Sequence, residues 1–111
     1  KIFKNKEDAI RAPRKLVKLP MTIFTNVDNF NPKRLQRTAV EAYPLENRPR
    51  GDKDICSVEY HREQIRKNMD IGPIWLIIQN DETYLLLDGA HRIVAHYIEG
   101  EQYINAYVIQ L

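Results

Sequence analysis

Gly72-Pro73-Ile74-Trp75-Leu76-Ile77-Ile78, then a polar turn, then Tyr84-Leu85-Leu86-Leu87-Asp88-Gly89-Ala90-His91-Arg92-Ile93-Val94-Ala95: this stretch decides the fold class. Ile74 to Ile78 and Thr83 to Leu87 are strand-length runs, and Asn80-Asp81-Glu82 between them has turn composition. Both runs are apolar nearly throughout, which predicts strands covered on two faces. Asp88-Gly89 breaks the second run. Ala90 to Glu99 then restarts as a helix with Ile93, Val94, Tyr97 and Ile98 apolar, and Gly100 stands where a helix-ending glycine belongs. Tyr103 to Gln110 reads as a last strand.

Upstream, Ser57 to Met69 predicts a helix capped by Ser57, with Val58, His61, Ile65 and Met69 marking its inward face. Gly72-Pro73 closes that unit. Leu16 to Thr25 reads as a first strand, and Pro20 inside it argues for an edge position or a bend. Asn5 to Ala12 reads as a short helix stopped by Pro13, and Lys33 to Ala42 as a helix opened by Asn31-Pro32. Pro44, Pro49 and Gly51, interleaved with charges, read as an exposed loop. The order helix, strand, strand, helix, strand, preceded by a strand, predicts a small α/β (α+β) domain. Residues 1–111 are expected to form one domain, with 26–56 an insertion or irregular loop.

Composition bounds the function. The 111 residues hold 17 Lys and Arg against 15 Asp and Glu, too near balance for a polybasic protein. The charge is uneven, however. Residues 1–53 carry 13 basic against 6 acidic side chains, a net of +7, and residues 54–111 carry 4 against 9, a net of −5. A basic first half, with Arg34, Arg37, Arg48, Arg50 and Lys53, can meet phosphates or nucleic acid, or form a solvated face that attracts the acidic half. One cysteine, Cys56, excludes an internal disulfide framework and fits a reducing, cytoplasmic setting. No run approaches transmembrane length, and Lys1 to Pro20 lacks the apolar stretch of a signal peptide.

The chemistry-bearing segment is Leu87-Asp88-Gly89-Ala90-His91-Arg92. A strand running through a glycine into a helix presents that helix's first N–H groups, with the positive end of its dipole, as an anion site. Arg92 can grip a phosphate with two hydrogen bonds and His91 can donate one. Asp88 beside such a site makes sense if it holds Mg2+, accepts a hydroxyl proton or orients Arg92 or His91. A capping Asp88 and a simple turn at Gly89 are the plainer alternative. Glu59 and Glu63 can join Asp88 at a metal only if their helix faces the box; a solvated face shared with Arg66 and Lys67 is simpler. His61 is expected to pack or hydrogen-bond at a helix boundary, and His96 to be a structural side chain.

Gly72-Pro73-Ile74-Trp75-Leu76-Ile77, the hairpin, the Asp88-Gly89-Ala90-His91-Arg92 box, Gly100 and Ile104-Asn105-Ala106-Tyr107-Val108 together resemble the ParB/sulfiredoxin superfamily over roughly Ser57 to Val108. The resemblance implies a nucleotide-phosphate site formed by Gly89, Ala90, His91 and Arg92, with Ser57, Tyr60 and Gln64 contributed by the preceding helix. It implies ATP, ADP or CTP as ligand, Mg2+ at Asp88, and Asp88, His91 and Arg92 as catalytic residues. Members include a free-serine kinase with a similar box, switches of DNA clamps, and nucleases. The implied function is phosphoryl transfer to a small hydroxyl-bearing substrate or nucleotide hydrolysis, the alternative being a non-catalytic DNA-associated or nucleotide-sensing module or a metal-dependent nuclease. Sulfiredoxin carries its reactive cysteine just before the His-Arg pair. Ala90 stands at that place, so sulfinic-acid reduction is not expected. Plasmid-partition ParB proteins continue into a helix-turn-helix; none is expected just after the last strand of this sequence.

Overall fold

The computed structural model describes residues 13–26, 29, 51–79 and 82–110. The expected helices at Asn5–Ala12 and Lys33–Ala42, and the loop residues Pro44 and Pro49, lie outside them. Four strands form one mixed sheet: β1 (Lys15–Pro20), β2 (Ile74–Ile78), β3 (Tyr84–Asp88) and β4 (Tyr103–Gln110), in the order β1-β4-β2-β3. Two helices, α1 (Gly51–Arg66) and α2 (Ala90–Ile98), complete the α+β domain.

The β2–β3 hairpin pairs antiparallel, closed by the Gln79 N–H donating to the Thr83 carbonyl at 2.9 Å. The chain then crosses over through α2 and returns as β4, parallel to β2, with Ile74 opposite Ala106 and Ile78 opposite Gln110. β1 adds antiparallel to the other side of β4 and forms an edge. The expected strand from Leu16 to Thr25 stops at Pro20, because Met21 to Thr25 wind into a 3-10 turn. Pro20 ends the strand at the bend that its fixed φ favours. The turn buries Met21 and Phe24 instead of extending the sheet edge.

Alternation along the strands sorts the core into two layers. Ile74, Leu76, Ile104 and Ala106 point to the side of α2 and pack with Ile93, Met21 and Phe24. Ile77 and Ile109 point the other way, with Trp75, Leu85 and Leu87 around them. On that second face the rings of Trp75 and Tyr107 lie 4.7 Å apart, and the Arg14 guanidinium sits 5.0 and 4.9 Å from their centroids. A third cluster, Val58, Val94 and Ala95 with Ile55, Ile65 and Ile98, joins α1 to α2.

Helix α1 begins at Gly51, so Gly51 is helical rather than looped, and Ser57 lies inside the helix rather than capping it. The apolar stripe explains the earlier start: Ile55 extends the row of Val58 and Ile65 by one turn. The helix also ends early, at Arg66. Asn68 takes a left-handed φ of 58°, and the Asn68 and Met69 N–H groups donate to the Ile65 and Gln64 carbonyls at 2.9 Å each. That reversal throws Met69 outward, 56% exposed, and removes it from the inward face. α2 ends on the same motif at Gly100, φ +76°, as its sequence position predicts. Tyr97, expected on the apolar side of α2, is exposed.

Gly89 is the joint between β3 and α2. Its φ of +113° is left-handed, and a Cβ built on it would lie 2.5 Å from Ile74 Cγ2 and 2.8 Å from Ile74 Cβ. Both the backbone and the packing exclude a side chain. Gly89→Ala is therefore expected to destabilise the protein by about 2–4 kcal/mol, from a left-handed alanine and overpacking against a β2 core residue. Gly100→Ala faces open space and is expected to cost only about 1–2 kcal/mol, from the left-handed backbone alone. Urea denaturation of the two variants checks the order, and a cost at position 100 equal to that at 89 would sink this account of Ile74.

Candidate functional site

Helix α2 starts directly from Gly89, whose carbonyl accepts from the Ile93 N–H at 2.9 Å. The first-turn amides have no acceptor within a helix, and Gly89 offers no side chain to cap them. Leu87, Asp88, Gly89, Ala90, His91 and Arg92 line a cleft of about 620 Å³ at this end, together with Leu86, Ile71 and His61. The sequence thus placed the box correctly at a strand–glycine–helix junction with open space before it.

Arg92 is held on two sides. Its Nη1 donates to the Pro73 carbonyl at 2.6 Å, and its Nη2 donates to Asp88 Oδ2 at 3.1 Å, one helical turn away. The Arg92 side chain is largely enclosed, 18% exposed, while the Asp88 side chain is 43% exposed. Asp88 thus orients Arg92 and offsets part of its charge. Gly72 is called for by its backbone, whose φ is +84°, and not by space, since a Cβ on it would only touch Arg92 Nη1 at an ordinary contact distance of 3.5 Å. The Gly72-Pro73 pair, read from sequence as a stop, also delivers the carbonyl that docks Arg92.

His91 Nδ1 lies 3.0 Å from Ser57 Oγ, a hydrogen bond that joins α1 to α2. Ser57 therefore reaches the box through His91. Tyr60 and Gln64 do not line the cleft. Tyr60 points outward, 61% exposed, because three residues on from Ser57 rotate it by about 60° off that face. Gln64 lies about 10 Å further along the axis. The residue one full turn after Ser57 is His61, and it lines the cleft. The sequence suggests that His61 packs or hydrogen-bonds at a helix boundary; the signal that places it at the cleft is the i, i+4 relation to Ser57.

His61 Nδ1 and His96 Nδ1 are shut off from solvent with no hydrogen-bond partner among the described residues. Burial holds the His61 imidazole below its ordinary pKa of 6.5, aided by the charges of Arg92, His91 and His96. Burial also lowers His96, with Arg92 acting in the same direction and Glu101 and Asp70 opposing. His96 faces a second cleft of about 520 Å³ whose lining includes Lys18, Asp70, Gly72, Glu101 and Tyr103.

Glu59 and Glu63 lie on the solvated side. Glu59 pairs with Arg62 at 2.7 Å and Glu63 with Lys67 at 3.0 Å. Glu99, at the end of α2, receives Arg62 Nε at 2.8 Å and Arg66 Nε at 3.0 Å, a clamp between the helices. Among the described residues no group of three His, Cys, Asp or Glu side chains is arranged to hold a metal ion. Cys56 is exposed on α1. Of the basic residues of the first half, Arg34, Arg37, Arg48 and Arg50 lie outside the described residues. No helix among the described residues is long and apolar enough to cross a membrane.

Against solved structures, the chain matches the crystal structure of sulfiredoxin from Arabidopsis thaliana with a TM-score of 0.55, over 87% of this chain and 86% of that one. The fold is sulfiredoxin-like. Sequence identity is 22%, so the likeness speaks for architecture. No family model matches the sequence, and no curated protein matches it.

The two lowered imidazoles set a pH dependence of stability. Between their folded pKa values and 6.5 the folded state binds fewer protons than the unfolded chain. Stability is thus full above 6.5 and falls as pH drops from there toward the folded values. Glu99, held below 4.5 by hydrogen bonds from Arg66 and Arg62, adds a second loss as pH falls below 4.5. Urea midpoints are expected to decline in two stages, with the first flattened in a His61→Gln/His96→Gln double variant. A level midpoint in the wild type between about pH 7 and about pH 5 would contradict the burial of these rings.

Proposed function

We propose that the cleft before α2 binds the polyphosphate of a nucleotide (ATP, ADP or CTP) and serves phosphoryl transfer or nucleotide hydrolysis. The observation that carries this reading is the convergence of an uncapped helix N-terminus, Arg92, His91 and His61 on one cleft. Amides and cations that converge at fixed positions suit a polyanion, and they act without reorganising at the moment of reaction. The sulfiredoxin-like fold is consistent with a nucleotide-related role.

Phosphoryl transfer asks for positioning and charge stabilisation more than covalent chemistry, so a small scaffold suffices. Arg92, steadied by the Pro73 carbonyl and Asp88, would face the charge that spreads over the moving phosphoryl oxygens. His91, held through its Nδ1 by Ser57, would add a contact at a fixed angle. Asp88 is the one carboxylate of the box. It would take the proton of a small hydroxyl-bearing acceptor or meet a Mg2+ ion that arrives with the phosphates, an ion that typically needs only one or two carboxylates beside phosphate oxygens. Ala90 carries no thiol, so chemistry that needs a cysteine at this place is not proposed.

A thermal-shift and calorimetry screen of nucleotides, with and without Mg2+, tests the reading. A nucleotide present at 100 times its dissociation constant is expected to add about 2.7 kcal/mol of stability. Arg92→Lys, which keeps the charge but loses the fork that reaches Pro73 and Asp88 together, is expected to weaken binding at least tenfold, about 1.4 kcal/mol. Release of ADP from ATP in the presence of small hydroxyl acceptors would identify transfer. Absence of binding by any nucleotide, or equal affinity in Arg92→Lys and Arg92→Ala alongside the wild type, would refute the assignment.

A further inference from the structure

We propose that His61 takes up a proton when a polyphosphate enters the cleft, so that the bound ligand meets an imidazolium which the unliganded protein does not carry. The inference rests on the nucleotide reading above and adds to it a residue and a proton.

His61 lies in the middle of α1, one turn after Ser57, and lines the cleft opposite the start of α2. Its Nδ1 is cut off from water and has no hydrogen-bond partner among the described residues. The charges that act on it most are those of basic groups. From α2 these are Arg92, His91 and His96. From its own helix, the ring of Tyr60 stands edge-on at 5.5 Å. From β3, Asp88 lines the same cleft, with Oδ2 engaged by Arg92. The acids of α1 on either side, Glu59 and Glu63, are paired with Arg62 and Lys67. A second positive charge beside Arg92 is therefore unfavourable, and burial first, then these neighbours, push the ring toward its neutral form.

A polyphosphate reverses that field. Several negative charges placed in the cleft favour the protonated ring, and the proton comes from the buffer: one N–H bond forms on the imidazole and one acid proton leaves the solution. By linkage, affinity must then rise as pH falls between the unliganded and the liganded pKa of His61, by at most about tenfold per pH unit. The base of the nucleotide plays no part in this step, so inorganic triphosphate is a sufficient probe.

The test is calorimetric titration of the full chain with ATP and with inorganic triphosphate near pH 7, in two buffers of different protonation enthalpy. The terminal phosphates of both ligands also titrate in this range, at about pH 6, so His61 is read from the difference between variants. Wild type and His96→Gln are expected to take up the same number of protons on binding, and up to about one more per site than His61→Gln, whose affinity is expected to depend less steeply on pH. In parallel, the His61 ring resonance of the wild type is followed by NMR against pH; its pKa is expected to move up on adding triphosphate. This measurement decides the matter if His61→Gln fails to fold. Equal proton exchange in wild type and His61→Gln, or an unmoved His61 pKa, would overturn the inference while leaving the cleft as a nucleotide site. Failure of ATP and triphosphate to bind at all would remove the nucleotide reading and this one with it.

Discussion

Everything at the candidate site depends on one close approach: the backbone of Gly89 against the side chain of Ile74. There the last residue of β3 gives way to α2 with no intervening loop, and a left-handed glycine lets the chain turn while it touches the core of β2. A longer connection would free the helix to slide. Because the joint is this tight, the direction of α2 is fixed relative to the sheet, and so are the positions of its first amides and of His91 and Arg92. The glycine that a sequence reader would reserve for a ligand is needed first by the protein's own packing.

The second constraint is electrostatic. Arg92, His91 and His61 gather around the start of α2 and the facing side of α1, and His96, further along α2, adds its charge to the same field. Asp88 offsets part of this, and the Pro73 carbonyl takes a guanidinium N–H. Burial then disfavours the charged forms of His61 and His96. The helices that bring these groups together are joined by an apolar seam around Val58, Val94 and Ala95, by the Ser57–His91 hydrogen bond, and at the far end by Glu99 between Arg62 and Arg66. The geometry of the cleft is thus maintained mainly by contacts outside it.

Much of the second half of the chain was legible from its residues alone. Ile74–Ile78 and Tyr103–Gln110 are strands at the expected bounds, and Gly100 ends α2 in the expected conformation. These elements are strongly apolar and bounded by Gly, Pro or a polar turn, so local pattern and tertiary demand agree. Where they conflict, the reading erred. Met21 to Thr25 look extended by composition but wind into a 3-10 turn that buries Phe24. Ser57 looks like a cap but lies inside a helix prolonged by Ile55. Met69 fits the helical period, yet the chain has already reversed at Asn68.

The box from Asp88 to Arg92 was determined by sequence, because its function as a junction follows from a strand, a glycine and a helix in immediate succession, all local matters. Which side chains of α1 reach that box was not. A helix of this length offers Ser57, Tyr60, His61 and Gln64 over two turns, and only the packing of α1 on α2 selects Ser57 and His61 and turns Tyr60 to solvent. The rotation of one helix about its axis against another is set by the sum of interlocking contacts between them, a property that no single segment of the chain carries.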